Sequence, residues 1–164
     1  MMGMLCARQA SHPMSSITGF DGSKYVAFVS AEAHYSVLMS ANVVGIGYQN
    51  LVKVACDSRG RMKPESLVEE IVRARTNGQT PFCIIATSGT TVRGAFDPLK
   101  EIANIAHDNN IWLHVDAAWG GSSLFSKRFR KLMDGVELAD SVCWDAHKMM
   151  GMPLICSVFL TKSK

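Results

Sequence analysis

The sequence predicts a three-layered α/β fold built on a mostly parallel sheet with one antiparallel strand. Three observations predict it. Short apolar runs of strand length recur at residues 24–30, 51–55, 82–87, 111–115 and 141–144, with amphipathic stretches of helix length between several of them. The run at 82–87, the amphipathic segment at 98–109 and the run at 111–115 form a strand–helix–strand unit, which makes its two strands parallel with their carboxyl ends side by side. Between Trp144 and Leu154 too few residues remain for a helical crossover, so the last run, 154–161, returns antiparallel.

Taken in order, residues 1–10 read as the end of a helix, and residues 11–22, which hold serines, glycines and Pro13, as a loop. The strand at 24–30 carries Tyr25, Val26, Phe28 and Val29, ends at Ser30, and leads past His34 and Tyr35 to an apolar helical stretch at 37–44. After the strand at 51–55 comes the clearest helix, residues 64–77. Pro64 is preset for its first turn, Leu67, Val68, Ile71 and Val72 form an apolar stripe, and Gly78 can close it. Met62 is placed to pack on Leu67 as a staple. In the helix at 98–109, Leu99, Ile102, Ala103 and Ala106 point inward, and residues 120–138 hold a helical turn or two with Arg128, Arg130 and Lys131 exposed.

Composition narrows the function classes. At 164 residues and 48% apolar content the chain can bury the core of one domain. Seventeen basic and fourteen acidic side chains leave a formal charge of +3 with no basic block, which implies neither nucleic acid nor a membrane surface as partner. The five cysteines are odd in number and widely spaced, the pattern of reduced thiols in a cytoplasmic protein. No apolar run approaches a membrane span, and residues 1–7 are too short for a signal peptide. His12, His107 and His114 share no metal-ligand spacing with Cys or acids, so no metal is expected. The loop Ser88-Gly89-Thr90-Thr91 lacks the lysine and spacing of a phosphate loop.

The residues able to do chemistry gather between 111 and 148. Ile-Trp-Leu-His-Val-Asp-Ala-Ala-Trp-Gly-Gly at 111–121 delivers Asp116 at a strand's end, and Trp-Asp-Ala-His-Lys at 144–148 delivers His147 and Lys148 in the same way. In one parallel sheet, an acid, an imidazole and an amine then converge at the carboxyl edge, where open α/β sheets bind ligands. Pyridoxal phosphate needs this set: a lysine to hold its aldehyde as a Schiff base, an acid to keep its pyridine nitrogen protonated, and donors for its phosphate. A lone aspartate after a strand ordinarily holds a turn, but Asp116 is followed by Ala117 and Ala118, small enough for a flat ring to approach. Most lysines are surface residues, but Lys148 precedes Met149, Met150, Met152 and Leu154, and desolvation there would favour the neutral, nucleophilic amine.

These motifs resemble the group II pyridoxal-phosphate-dependent amino acid decarboxylases, across nearly the whole chain. His-Val-Asp-Ala-Ala-Trp-Gly-Gly and His-Lys-Met-Met-Gly look most like the branch acting on acidic amino acids, since aromatic amino acid decarboxylases more often have Tyr-Ala-Gly where Trp119-Gly120-Gly121 stands. The resemblance implies a fold-type I large domain and decarboxylation of glutamate first, cysteine sulfinate or aspartate second. It gives Lys148 the Schiff base, Asp116 the ring nitrogen, His34 the ring face, Ala118 packing on the ring, Thr91 a contact near the phenolic oxygen or substrate carboxylate, and His147 a phosphate contact. Asp145 stands near the phosphate where many members carry asparagine, and an aspartate there would repel a dianion unless protonated or turned away.

The same resemblance implies that residues 1–164 are the central part of the large domain, without the upstream phosphate-binding element, the mobile loop or the small carboxy-terminal domain. It implies a homodimer for the full-length protein, and for the isolated chain at most weak cofactor binding. Two alternatives stand beside it: another fold-type I enzyme, such as an aminotransferase or lyase, and a non-catalytic truncated remnant.

Overall fold

In the computed structural model, which describes residues 1–19 and 24–162, the strands form one six-stranded sheet. They are β1 (Tyr25–Ser30), β2 (Leu51–Val54), β3 (Thr80–Thr87), β4 (Trp112–Asp116), β5 (Ser141–Asp145) and β6 (Ser157–Thr161). Their spatial order is β2-β1-β3-β4-β5-β6, and every neighbouring pair is parallel except β5–β6, which is antiparallel as expected.

Alternation along the strands divides the core into two layers. On one face Phe28, Ile84, Ala86, Leu113 and Val115 pack under α4 (Pro64–Thr76) and α5 (Leu99–Asp108). On the other, Ala27, Val29, Cys83, Ile85 and Trp112 pack under α1 (Met2–Ser11) and α3 (Ser36–Val43). The result is the predicted three-layered sandwich.

Helix α4 starts on Pro64 and stops at Asn77, where Gly78 takes φ +69. Its buried stripe differs from the expected one. Leu67, Ile71 and Ala74 are buried, whereas Val68 and Val72 are 44% and 59% exposed. Spacings of four and three keep 67, 71 and 74 on one side, and 68 and 72 lie a further 100° round the cylinder. Met62 is buried in the same cluster as Leu67. In α5 all four residues expected to point inward are buried. Arg75 donates to Asn109 Oδ1 at 2.6 Å, tying the end of α4 to the end of α5.

Three other segments depart from expectation. The loop at 11–22 contains a one-turn helix, α2 (Ser15–Thr18), and its residues 20–22 lie outside those described. Residues 120–138 form three short 3-10 segments, Gly120–Phe125, Arg130–Met133 and Val136–Leu138, interrupted where Gly135 takes φ +93. Strand β6 begins at Ser157 rather than 154, because residues 146–156 close a loop through Ala146 N–H to Cys156 O at 2.9 Å and Met152 N–H to Ala146 O at 3.2 Å.

Candidate cofactor site

Strand period and register together assemble the site. Thr87 pairs with Asp116, and Asp116 with Cys143. Steps of two then place Ile85, His114 and Asp145 on the same face as these three, the face covered by α1 and α3. There the carboxyl ends of β3, β4 and β5 border a cavity of about 320 Å³, whose wall includes His34, Thr87, Thr91, Asp116, Asp145 and Lys148.

The rim is fixed from behind by Asp97, which is 3% exposed. Its carboxylate accepts Met62 N–H at 2.6 Å and Thr87 N–H at 2.7 Å, locking the end of β3 to the segment before α4. Burial, only partly offset by those two bonds, pushes its carboxyl up to about 6. The loops after β3 and β4 meet backbone to backbone. Gly120 N–H donates to Ser88 O at 3.0 Å, and a Cβ on Gly120 would strike that same oxygen and lie 2.6 Å from the Phe96 ring. Gly89, at φ +84, faces Gly120 N just as closely, so both positions need glycine.

Asp116 is held at one oxygen. Its Oδ1 accepts Ala118 N–H at 3.1 Å and the Cys143 thiol at 3.4 Å. Burial, reinforced by the neighbouring Asp116 charge, pushes the Cys143 thiol up to about 12, so it remains a donor at neutral pH. Two residues back along β4, burial pushes His114 down to about 4 despite the opposing pull of Asp116, and its ring is neutral. His114 Nδ1 meets Ser141 Oγ at 2.9 Å, and that oxygen accepts Trp112 Nε1–H at 2.9 Å. Gly3 of α1 rests on the ring, for a Cβ there would come within 2.5 Å of it.

Lys148 closes the turn after β5. Its N–H donates to Asp145 O at 3.2 Å, and its Nζ forms an ion pair with Asp145 Oδ2 at 2.9 Å. The apolar residues that follow it do not form the expected pocket: Met149, Met150, Met152 and Leu154 are 51%, 48%, 49% and 77% exposed. The contact made by the amine is the ion pair with Asp145. Asp145 is turned toward the lysine. Burial works against its charge, but hydrogen bonds from Ser157 and Lys148 and the charges of Lys148 and His147 outweigh it, holding the carboxyl below its ordinary range.

Of the residues singled out in the sequence, His34, Thr91, Asp116, Ala118, Asp145 and Lys148 border the one cavity. His34 Nδ1 accepts Ser36 N–H at 3.3 Å and lies 2.9 Å from Ser36 Oγ. His147 is not in the lining; its Nδ1 lies 3.1 Å from Cys156 O and 3.2 Å from Cys156 N. Sequence reasoning passed over Thr87, His114 and Cys143, although each stands at an even step or a paired position from a residue already chosen. Thr87 Oγ1 is buried without a hydrogen-bond partner among the described residues.

An acid and an amine on the wall of one cavity, with a buried hydroxyl left to satisfy, suit a flat, polar ring bearing an aldehyde. The donor set thus fits pyridoxal phosphate.

The chain belongs to the family of the pyridoxal-dependent decarboxylase conserved domain, whose model matches residues 1–164. It is 47% identical over 165 aligned residues to human acidic amino acid decarboxylase GADL1, covering 100% of this chain and 32% of that protein. The crystal structure of mouse CSAD superposes with a TM-score of 0.95 at 44% identity, covering 97% of this chain and 34% of that one. The structure of Oryza sativa TDC with PLP superposes at 0.89 with 27% identity, over 97% of this chain and 34% of that one. The chain therefore spans about a third of the length of these relatives.

Proposed function

We propose that this chain carries the cofactor site of a pyridoxal-phosphate-dependent decarboxylase of acidic amino acids, with glutamate the first substrate and cysteine sulfinate or aspartate the second. The observation that carries it is the placing of Asp116 and Lys148 on the wall of one cavity at the carboxyl ends of parallel strands. The acidic preference is supported by the name of the human relative. The cofactor supplies the electron sink for the departing carboxylate's bond.

The chain's own residues bind and orient. Lys148 is the amine that holds the aldehyde, and Asp116, ligated at Oδ1, keeps Oδ2 to pair with a protonated ring nitrogen. His34 and Ala118 would flank the ring, and Thr91 would contact its polar edge or the substrate carboxylate, all three bordering the cavity. His147, held at Nδ1, keeps Nε2 for a phosphate. In the whole protein we place the reaction in the cytoplasm and in a homodimer.

The test is an absorbance titration of the 164-residue chain with pyridoxal phosphate, followed by borohydride reduction and peptide mapping. The expected result is weak binding with the label on Lys148, lost in Lys148→Ala. Labelling that ignores this substitution would overturn the proposal. Product analysis of the longer protein on acidic and aromatic amino acids decides the substrate, and preference for an aromatic one would contradict it.

A further inference from the structure

The ion pair at the turn after β5 has the reactive amine as one of its members. Asp145 and Lys148 stand three residues apart across a single turn whose backbone closes on itself, and their charged atoms are 2.9 Å apart. The pair is half sheltered, with side-chain exposures of 33% for Lys148 and 17% for Asp145. Asp145 is itself anchored, because it is the last residue of β5 and pairs with Ser157 in the β5–β6 ladder. The carboxylate is thus held in place on the strand, and the flexible lysine comes to it.

We propose that Asp145 is a positioning residue that holds Lys148 against the cavity wall as its ammonium and so restrains the amine from condensing with an aldehyde. An ammonium has no lone pair to add to a carbonyl carbon. For condensation the pair must open and the nitrogen must release a proton to solvent. The free amine then adds to the aldehyde carbon, the new carbon–nitrogen double bond forms, and the carbonyl oxygen leaves as water with the nitrogen's two remaining protons. Asp145 is unchanged by the step and acts only by pairing with the lysine beforehand. Its effect on cofactor attachment rests on the proposal that Lys148 is the cofactor's amine, but the restraint on the amine does not.

The test uses a small neutral aldehyde, so that it needs no cofactor site. The full 164-residue chain is reductively methylated with formaldehyde and cyanoborohydride, and the rate at Lys148 is read by peptide mass spectrometry against exposed Lys53 and Lys127. Asp145→Asn is expected to raise the Lys148 rate about two- to fivefold relative to those references, the range of a partly exposed ion pair. Asp145→Glu, which keeps the charge, is expected to restore the slow rate, a rescue that a merely structural role would not give. An unchanged or slower Lys148 in Asp145→Asn, or a fast one in Asp145→Glu, would overturn the proposal. Should Asp145→Asn fail to fold by circular dichroism, a salt series on the unsubstituted chain decides. Screening is expected to speed Lys148 relative to Lys127, and a flat ratio would overturn the proposal. Failure here leaves the cofactor titration untouched, so the two proposals fall separately.

Discussion

The Cys143 thiol points across the β4–β5 pair at Asp116 Oδ1, 3.4 Å away, and shares that oxygen with the N–H of Ala118. Both donors sit on one oxygen of a carboxylate that borders the cavity. Removing the thiol should loosen the carboxylate without unfolding the sheet. Cys143→Ala is expected to weaken pyridoxal phosphate binding by about 1 kcal/mol, the worth of one modest hydrogen bond, and Cys143→Ser to recover most of it. Fluorescence titration of the three proteins measures this, and equal affinities would remove the thiol from the site.

Two buried titratable groups pull stability in opposite directions with pH. Asp97 has its folded value raised to about 6, so the folded chain keeps a proton that the unfolded chain loses near 3.9. Its contribution is fully present below about pH 4 and is lost as pH rises toward 6. His114 has its folded value lowered to about 4, so the unfolded chain gains the proton first, near 6.5. Its contribution is present above about 6.5 and is lost as pH falls toward 4. Each is worth at most about 3 kcal/mol, from roughly two pKa units at 1.36 kcal/mol each. Urea denaturation between pH 4 and 6 should therefore show little slope from this pair in the parent chain, a rising stability in Asp97→Asn and a falling one in His114→Gln. The same slope in all three proteins would refute both assignments.

Gly120 is the tightest backbone contact behind the cavity. A methyl group there meets Ser88 O and the Phe96 ring at once, and neither the backbone oxygen nor the packed ring can yield cheaply. Gly120→Ala is expected to cost about 2–3 kcal/mol in urea denaturation, as an overpacked site does, and to weaken cofactor binding. Gly94→Ala provides the comparison: that glycine has φ +63 but open space around a Cβ, so only the smaller backbone cost, about 1 kcal/mol, applies. Equal costs would mean that the loop after β3 moves freely away from the loop after β4.

Strand and helix identities were legible in the sequence because they depend on local periodicity and on short-range connection rules. The βαβ spacing made β3 and β4 parallel neighbours, and the short link after Lys148 made β6 antiparallel, before any contact was known. Asp116 and Lys148 were legible for a related reason: Asp116 ends one strand, Lys148 lies in the turn just after the next, and parallel strands bring their carboxyl ends together.

What the sequence by itself determined is the order of the elements and the edge of the sheet at which the chemistry sits, since both are properties of neighbouring residues. The tertiary structure alone decided the partners of each charge. The methionines after Lys148 suggested an apolar pocket, yet they face outward and the amine meets Asp145. Asp97, far from Met62 in the chain, became the clamp behind β3, and Cys143 became a ligand of Asp116. Register and the paths of loops set these distances, and a carboxylate's pairing depends on a few ångströms that local pattern does not encode.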